Sequence, residues 1–263
     1  MTEPKFDIKP IRLLLKNAEG ATEDVANHGQ LHERFESLAA VINDAYRQKY
    51  GGSGGKADAI GLVAVVADFL PLMPSLDEQY GPDGELPLTD ATAAVDEALR
   101  CLTELETWLD RLDLSGQRET LHQLQIGIGY WVMCHQLSIY AAEPLVNALA
   151  ARSNDAVTRQ ETAAIYALMQ GFVQHLAPQL EADLERSNPE RPWRLLNLNF
   201  AITAIRTGDA AMMRYAFDTL NAHLPDERAG FYEEALALAS QPGFPLDTRA
   251  VIEAEYAHWT RIH

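Results

Sequence analysis

The chain has 263 residues, 47% of them hydrophobic, and carries 38 acidic against 21 basic side chains, for a formal net charge of −17. The apolar fraction is too high for general disorder, and the negative charge argues against nucleic-acid binding, since phosphate recognition needs a positive surface. Two cysteines exclude a disulfide-stapled domain and a four-thiolate metal site.

Apolar residues recur at helical spacing along nearly the whole chain. The pattern predicts helices, in chain order, around Leu31, Phe35, Leu38 and Ile42 and over 57–70, 89–112, 115–151, 155–184, 193–207, 209–223, 226–240 and 247–263. Pro144 is expected to kink helix 115–151, and the Pro- and Gly-rich segment 71–88 is expected to form a long irregular loop. Because only residues 5–9 show β alternation, we predict an all-α fold built from antiparallel helical hairpins.

We expect three regions along the chain. These are an N-terminal arm at 1–20, a central helical bundle at 21–186 that contains the long loop, and a further helical region at 193–263. The segment 187–192, with two prolines, is the predicted linker. One continuous helical domain over 21–263 is the alternative.

The negative charge is unevenly distributed. Residues 1–56 hold all five lysines and are neutral overall, with eight cationic and eight acidic side chains, so residues 57–263 carry the whole −17. Such an acidic body favours a basic or extended peptide as partner, and the N-terminal segment of a second copy is one candidate. A surface charge that only keeps the protein soluble is the alternative.

The sequence gives no sign of a targeting or membrane segment. Its first residues are polar and acidic where a signal peptide would be basic. The longest uninterrupted apolar runs, 59–67 and 126–134, have nine residues each, whereas a membrane span needs about 20. We therefore predict a cytoplasmic, bacterial-type protein without a membrane or nucleic-acid partner.

Residues 194–227 contain a helix, a turn at Gly208 and Asp209, a second helix with Phe217, and a closing Pro225. This arrangement of 34 residues resembles one tetratricopeptide (TPR) repeat, whose period and signature positions it matches at the glycine, the aromatic residue and the proline. Outside these 34 residues, no second copy in good register follows.

The same segment departs from the TPR pattern at three positions. Asn197 stands where the family usually has Trp, and Met213 and Leu220 stand where it has Ala. The resemblance implies a TPR-like helical array in the C-terminal third of the chain, with a concave groove that exposes Asn199 and Arg206 and binds peptides or partner proteins. Generic antiparallel helices are the alternative.

Residues 120–142 form a segment of 23 residues without Asp, Glu, Lys or Arg. A helix that is apolar nearly all round is a buried, central one. The segment is therefore predicted to be either a core helix whose polar groups are hydrogen-bonded, or the wall of an internal pocket lined by Tyr130, Trp131, Cys134 and His135.

Two Glu-x-x-His pairs, Glu119/His122 and Glu255/His258, lie on predicted helices. In di-iron carboxylate bundles, each such pair places a carboxylate and an imidazole on one helical face. They are the candidate ligands of a di-iron or other transition-metal site, although pairs with this spacing also arise by chance.

His28, His32 and Glu36 share another helical face, which could hold a transition metal loosely. They flank the apolar stripe of their helix and do not lie within it, so we predict that they are solvated.

These features favour a non-enzymatic interaction module without a cofactor, an adaptor or chaperone-like helical scaffold with an acidic surface. The alternative is a helical-bundle enzyme that binds a metal or cofactor in a pocket on helix 116–142. A third hypothesis is a structural homo-oligomer in which the N-terminal segment packs on an acidic neighbour.

Overall fold

The computed structural model describes residues 14–16, 22–24, 28–51, 58–180, 188–241 and 244–260, without the side chains of 14–16, 22–24, 88–90 and 260. The predictions for residues 5–9, for most of the arm 1–20 and for an oligomer formed through that arm lie outside the described residues.

The all-α prediction is confirmed, with eleven α-helices in the described part of the chain. They are α1 (His28–Tyr50), α2 (Ala59–Phe69), α3 (Leu72–Tyr80), α4 (Leu88–Arg111), α5 (Arg118–Cys134), α6 (Glu143–Asp155), α7 (Arg159–Leu180), α8 (Pro192–Thr207), α9 (Ala210–His223), α10 (Arg228–Ala239) and α11 (Leu246–Thr260). A short 3₁₀ helix, Ser115–Gln117, precedes α5.

One antiparallel strand pair, β1 (Leu14–Lys16) and β2 (Thr22–Asp24), lies before the first helix. Leu14 pairs with Asp24, and Lys16 pairs with Thr22. The sequence did not predict these strands, because three residues are too few for an alternating pattern to stand out.

The chain divides into two compact units, residues 1–152 and 153–263. The predicted linker at 187–192 falls inside the second unit. In the first unit, α1 packs against α2 and α5, and α4 packs against the same two helices. The stripe predicted for α1 is buried, as its spacing requires: Leu31, Phe35, Leu38 and Ile42 are at most 2% exposed.

Helix α5 is the buried helix that the uncharged segment predicted. Every residue from Gln123 to Met133 is buried. The side chain of Gln123 donates to Glu119, whereas Gln125 Oε1 has no hydrogen-bond partner among the described residues.

The predicted loop at 71–88 is wrong for its first half, which forms α3. Pro74 lies in the first turn of this helix, where backbone N–H groups have no intrahelical acceptor and a proline is tolerated. Burial of Met73 holds the helix on the unit. Gly81, with φ of 91°, then ends it in a conformation that favours glycine.

The single kinked helix predicted over 115–151 is also wrong, since α5 ends at Cys134 and α6 begins at Glu143. Gln136 leaves the helix with φ of 55°. Asp96 of α4 then accepts the backbone N–H groups of Tyr140 and Ala141 at 3.0 and 3.1 Å. This contact comes from a distant part of the sequence, so no local pattern reveals it.

In the second unit, α8 packs against α7 and α9, and α11 packs against α9 and α10. Gly208 ends α8 with φ of 67°. Asp209 caps α9 by accepting the N–H groups of Ala211 and Met212 at 2.8 and 2.9 Å. The predicted turn between these helices is thus formed by the two residues that marked it in the sequence.

One stretch of 22 residues, Ala59–Tyr80, is long and apolar enough to cross a membrane by length and composition, with a hydropathy of 1.9. It comprises α2 and α3. Core helices of soluble proteins satisfy the same criterion, and in α2 the side chains of Leu62 and Val66 are fully buried. The expected lack of a membrane partner stays a prediction.

Candidate functional site

A groove of about 510 Å³ lies between α1 and the N-terminal end of α5. Its described lining is formed by Gln30, Glu33, Arg34, Ser37, Leu38 and Val41 of α1, by Gln117 and by Thr120 of α5. The lining thus combines uncharged polar groups, one cation, one anion and two apolar side chains. Its volume lies in the range of small-molecule and cofactor sites, about 300 to 1,000 Å³.

Beside the groove, two arginines are linked to one carboxylate. Arg34 Nη1 donates to the side-chain oxygen of Gln123. The amide of Gln123 donates to Glu119 Oε1 at 3.2 Å. Arg152, which is 6% exposed, donates to the same Glu119 oxygen at 2.7 Å. We call these four side chains the Arg34 network.

The positive charges in this network are crowded. Burial lowers the pKa of Arg34, the nearby Glu119 raises it, and the second cation, Arg152, lowers it again. Burial and a like charge both disfavour the charged form. The groove therefore has a half-buried guanidinium group in its lining, and a second guanidinium group belongs to the network beside it.

A second polar cluster ties α3 to α5 and α1, and its centre is Asp77 on α3. Trp131 Nε1 donates to Asp77 Oδ1 at 2.7 Å, and His135 Nε2 lies 2.8 Å from the same oxygen. His28 Nδ1 lies 3.3 Å from the other carboxylate oxygen. His135 Nδ1 lies 2.7 Å from the carbonyl oxygen of Gly84. We call these residues the Asp77 cluster.

Both ring nitrogens of His135 face oxygen atoms that accept hydrogen bonds. A carbonyl oxygen can only accept, so Nδ1 carries a proton toward Gly84. Trp131 and His135 are 2% and 1% exposed. Their contacts with Asp77 are therefore buried and connect α3 to the C-terminal end of α5.

The predicted pocket wall on α5 is not where the groove lies. On α5 and the turn before it, the groove is lined by Thr120 and Gln117. Trp131 and His135 face Asp77 instead. Tyr130 is buried and forms a hydrogen bond with Cys134, whose pKa is raised mainly by burial.

The candidate metal ligands Glu119 and His122 contact protein side chains. Glu119 accepts a hydrogen bond from Arg152, and His122 Nε2 lies 3.6 Å from Glu106. The hydrogen bond from His122 is the largest cause of a lowered pKa at Glu106.

Glu255 and His258 lie on α11 in the second unit. The exposed His258 ring packs edge-on against Trp259, with centroids 4.7 Å apart. Over the described ranges, no three His, Cys, Asp or Glu side chains are grouped so that they could hold a metal ion. A metal site stays a prediction.

His28 was expected to be solvated, and this is wrong. Its side chain is only 20% exposed, because α3, predicted as loop, brings Asp77 against it. His32 and Glu36 do face solvent, 42% and 67% exposed and 3.4 Å apart.

His28 should make the first unit less stable in mild acid. Burial lowers its pKa from 6.5, Asp77 opposes this, and His135 lowers it further. The unfolded chain therefore takes up a proton as the pH falls through 6.5, before the folded chain does, so the stabilising effect present above pH 6.5 is lost below it. Urea unfolding measures the free energy of unfolding at about pH 7.5 and about pH 5.5. The decrease in this free energy on acidification should be smaller for His28→Gln than for the wild type. His32→Gln, the exposed control on the same helix, should leave the decrease unchanged, and equal behaviour of the two variants would contradict the assignment.

The two residues predicted to line a TPR-like groove are engaged within the second unit. Arg206 donates to the backbone oxygens of Ser153, Asn154 and Ala156 and so caps the C-terminal end of α6. Asn199 donates to the carbonyl oxygen of Leu195 at 2.8 Å. The TPR resemblance stays a prediction.

Sequence reasoning missed Arg34 and Asp77, the two residues that organise the clusters described above. Comparison with known proteins adds no further candidates. No protein-family model matches the chain, and no curated protein or solved structure is detectably similar to it.

Proposed function

We propose that this chain is a binding protein whose first unit receives an extended peptide segment of a partner protein in the groove between α1 and α5. The groove itself is the observation that carries the proposal. It follows α1 from Gln30 to Val41, a rise of about 16 Å at about 1.5 Å per helical residue. That length accommodates about five residues of extended chain.

The side chains in the groove support a peptide ligand. Gln117 and Thr120 form no side-chain hydrogen bond with any other described residue. A bound peptide brings backbone N–H and C=O groups that need such partners once water is displaced. Val41, which is 38% exposed at the other end of the groove, can contact an apolar side chain of the same peptide.

Filling the groove should weaken peptide binding. Ser37 is exposed and lines the groove, so Ser37→Trp should weaken binding of peptides selected from an array of random sequences by at least about tenfold, or about 1.4 kcal/mol. Fluorescence anisotropy of the selected peptides measures the change.

Ala40→Trp is the matched control, because Ala40 is exposed on the same helix but does not line the groove. It should bind the peptides as the wild type does. Circular dichroism checks that both variants fold. If the wild type selects no peptide, or if both tryptophan variants bind equally well, the proposal is wrong.

A further inference from the structure

One of the two charged side chains that line the groove is available for a ligand. Glu33 is exposed, and its side chain forms no hydrogen bond or ion pair with any other described residue. Arg34, the other charged residue of the described lining, already donates to Gln123. An exposed carboxylate of this kind favours a cationic group in the ligand. We therefore expect the bound segment to place a basic side chain beside Glu33.

An apolar contact is available at the far end of the groove. Val41 is exposed there and follows Glu33 by eight residues, which is about 12 Å along the helix axis at about 1.5 Å per residue. Three residues of extended chain span about 10 Å. The groove therefore matches a segment in which a basic residue and a large apolar residue are three positions apart.

The chain's own N-terminal segment contains this pattern. Residues 5–9 read Lys-Phe-Asp-Ile-Lys, so Lys9 follows Phe6 by three positions. Five residues of extended chain are the length that the groove accommodates. With two lysines and one aspartate, the segment has a net charge of +1, whereas residues 57–263 carry −17. Length, residue pattern and charge thus all suit the groove.

The segment joins the described part of the chain close to the end of α1 where the groove begins. Leu14 pairs with Asp24, and paired Cα atoms lie about 5 Å apart. Asp24 is four residues before His28, the first residue of α1, so Leu14 lies at most about 20 Å from His28. The chain from Leu14 back to Lys9 spans up to about 18 Å. The two lengths are comparable, so residues 5–9 can reach the groove and run along α1.

We propose that residues 5–9 of the same chain occupy the groove, with Lys9 beside Glu33 and Phe6 on Val41, and block it until a partner peptide displaces them; this inference rests on the function proposed above. A ligand joined to its site by a short linker has an effective concentration on the order of millimolar. The segment therefore weakens the apparent affinity of every other peptide for the groove, because only the open fraction of the protein binds.

Amide NMR spectra of the full chain test this contact. Lys9→Glu should shift the amide signals of Gln117 and Thr120, which line the groove, because repulsion from Glu33 releases the segment. Lys16→Glu is the matched control, since it makes the same charge reversal seven positions further along the chain. It should leave these two signals unchanged. Unshifted signals in Lys9→Glu, or equal shifts in both variants, would overturn the inference.

Exchange of the two charges locates the contact. Glu33→Lys should shift the same signals as Lys9→Glu, and the double variant Lys9→Glu/Glu33→Lys should restore their wild-type positions. If Glu33→Lys does not fold, Glu33→Gln replaces it, and Lys9→Glu should then have a smaller effect on the signals than in the wild type. Simple addition of the two effects would show that Lys9 and Glu33 are not in contact and would contradict the proposal.

Dilution distinguishes the chain's own segment from that of a second copy. A contact within one chain does not depend on protein concentration, so the signals of Gln117 and Thr120 should keep their positions when the wild type is diluted. Movement toward the Lys9→Glu positions on dilution would assign the segment to a second copy and overturn the proposed contact within the chain.

Peptide binding separates the inference from the proposed function. Lys9→Glu should bind the selected peptides about tenfold more tightly than the wild type, because its groove is open. Equal binding together with unshifted groove signals would refute the inference and leave the peptide-binding function standing. Shifted signals without any peptide selected by Lys9→Glu would refute the peptide-binding function and leave the contact between the segment and the groove standing.

Discussion

Replacing Asp77 with alanine is expected to destabilise the first unit by about 3 kcal/mol. The carboxylate accepts from Trp131 Nε1 and contacts His135 Nε2, at 2.7 and 2.8 Å, and both rings are buried. A buried donor that loses its acceptor costs about 1 to 3 kcal/mol. The variant leaves the buried Trp131 donor and the buried His135 Nε2 without their partner and also removes the neighbour of His28.

Hydrogen exchange of the α5 backbone amides measures the loss, since it reports on the first unit separately from the second. Glu78→Ala is the matched control, because Glu78 is exposed on the same helix, one residue further along. Glu78→Ala should change the free energy of opening, measured by exchange of the α5 amides, by less than about 0.5 kcal/mol. Similar effects of the two variants would show that Asp77 does not tie α3 to α5.

Apolar spacing made most of the helices predictable. The α1 stripe, the buried α5 and the turn at Gly208 follow from residue types within a few positions of one another. The two wrong helix predictions concern α3 and the end of α5, whose limits depend on contacts from elsewhere in the chain. Asp96, for example, fixes the backbone at Tyr140, 44 positions away.

The site was harder to predict than the fold, for the same physical reason. Arg34 and Gln123 are 89 positions apart, and a single arginine on a helix surface forms no motif. Asp77 lies in a segment predicted to be loop, so no partner could be sought for it. Glu119 did stand out, but its spacing to His122 suggested a metal site, whereas its neighbours in the fold are Arg152 and Gln123. The available signal was the charge-free segment, whose buried polar groups require partners from other helices.

Glu119→Gln is expected to destabilise the first unit by about 2 kcal/mol. The substitution preserves the shape of the side chain but removes the negative charge between Arg152 and Arg34. Removing one partner of a buried ion pair lowers the free energy of unfolding by about 3 to 5 kcal/mol. The expected loss is smaller, because Glu119 is 31% exposed and its glutamine replacement still accepts a hydrogen bond.

Glu104→Gln provides the control on the surface. Glu104 pairs with Arg100, both are more than 40% exposed, and Arg100 keeps a second partner in Glu97 at 2.6 Å. Exposed pairs contribute about 0 to 1 kcal/mol, so this variant should change the opening free energy of α5 by less than about 1 kcal/mol.

The double variant Glu119→Gln/Arg152→Met tests the cause of the loss. If crowded positive charge destabilises the single variant, removing one of the two cations should recover much of the lost stability, because an uncompensated buried charge costs more than an apolar side chain in its place. A double variant less stable than Glu119→Gln would show that hydrogen bonding and not charge holds the Arg34 network together.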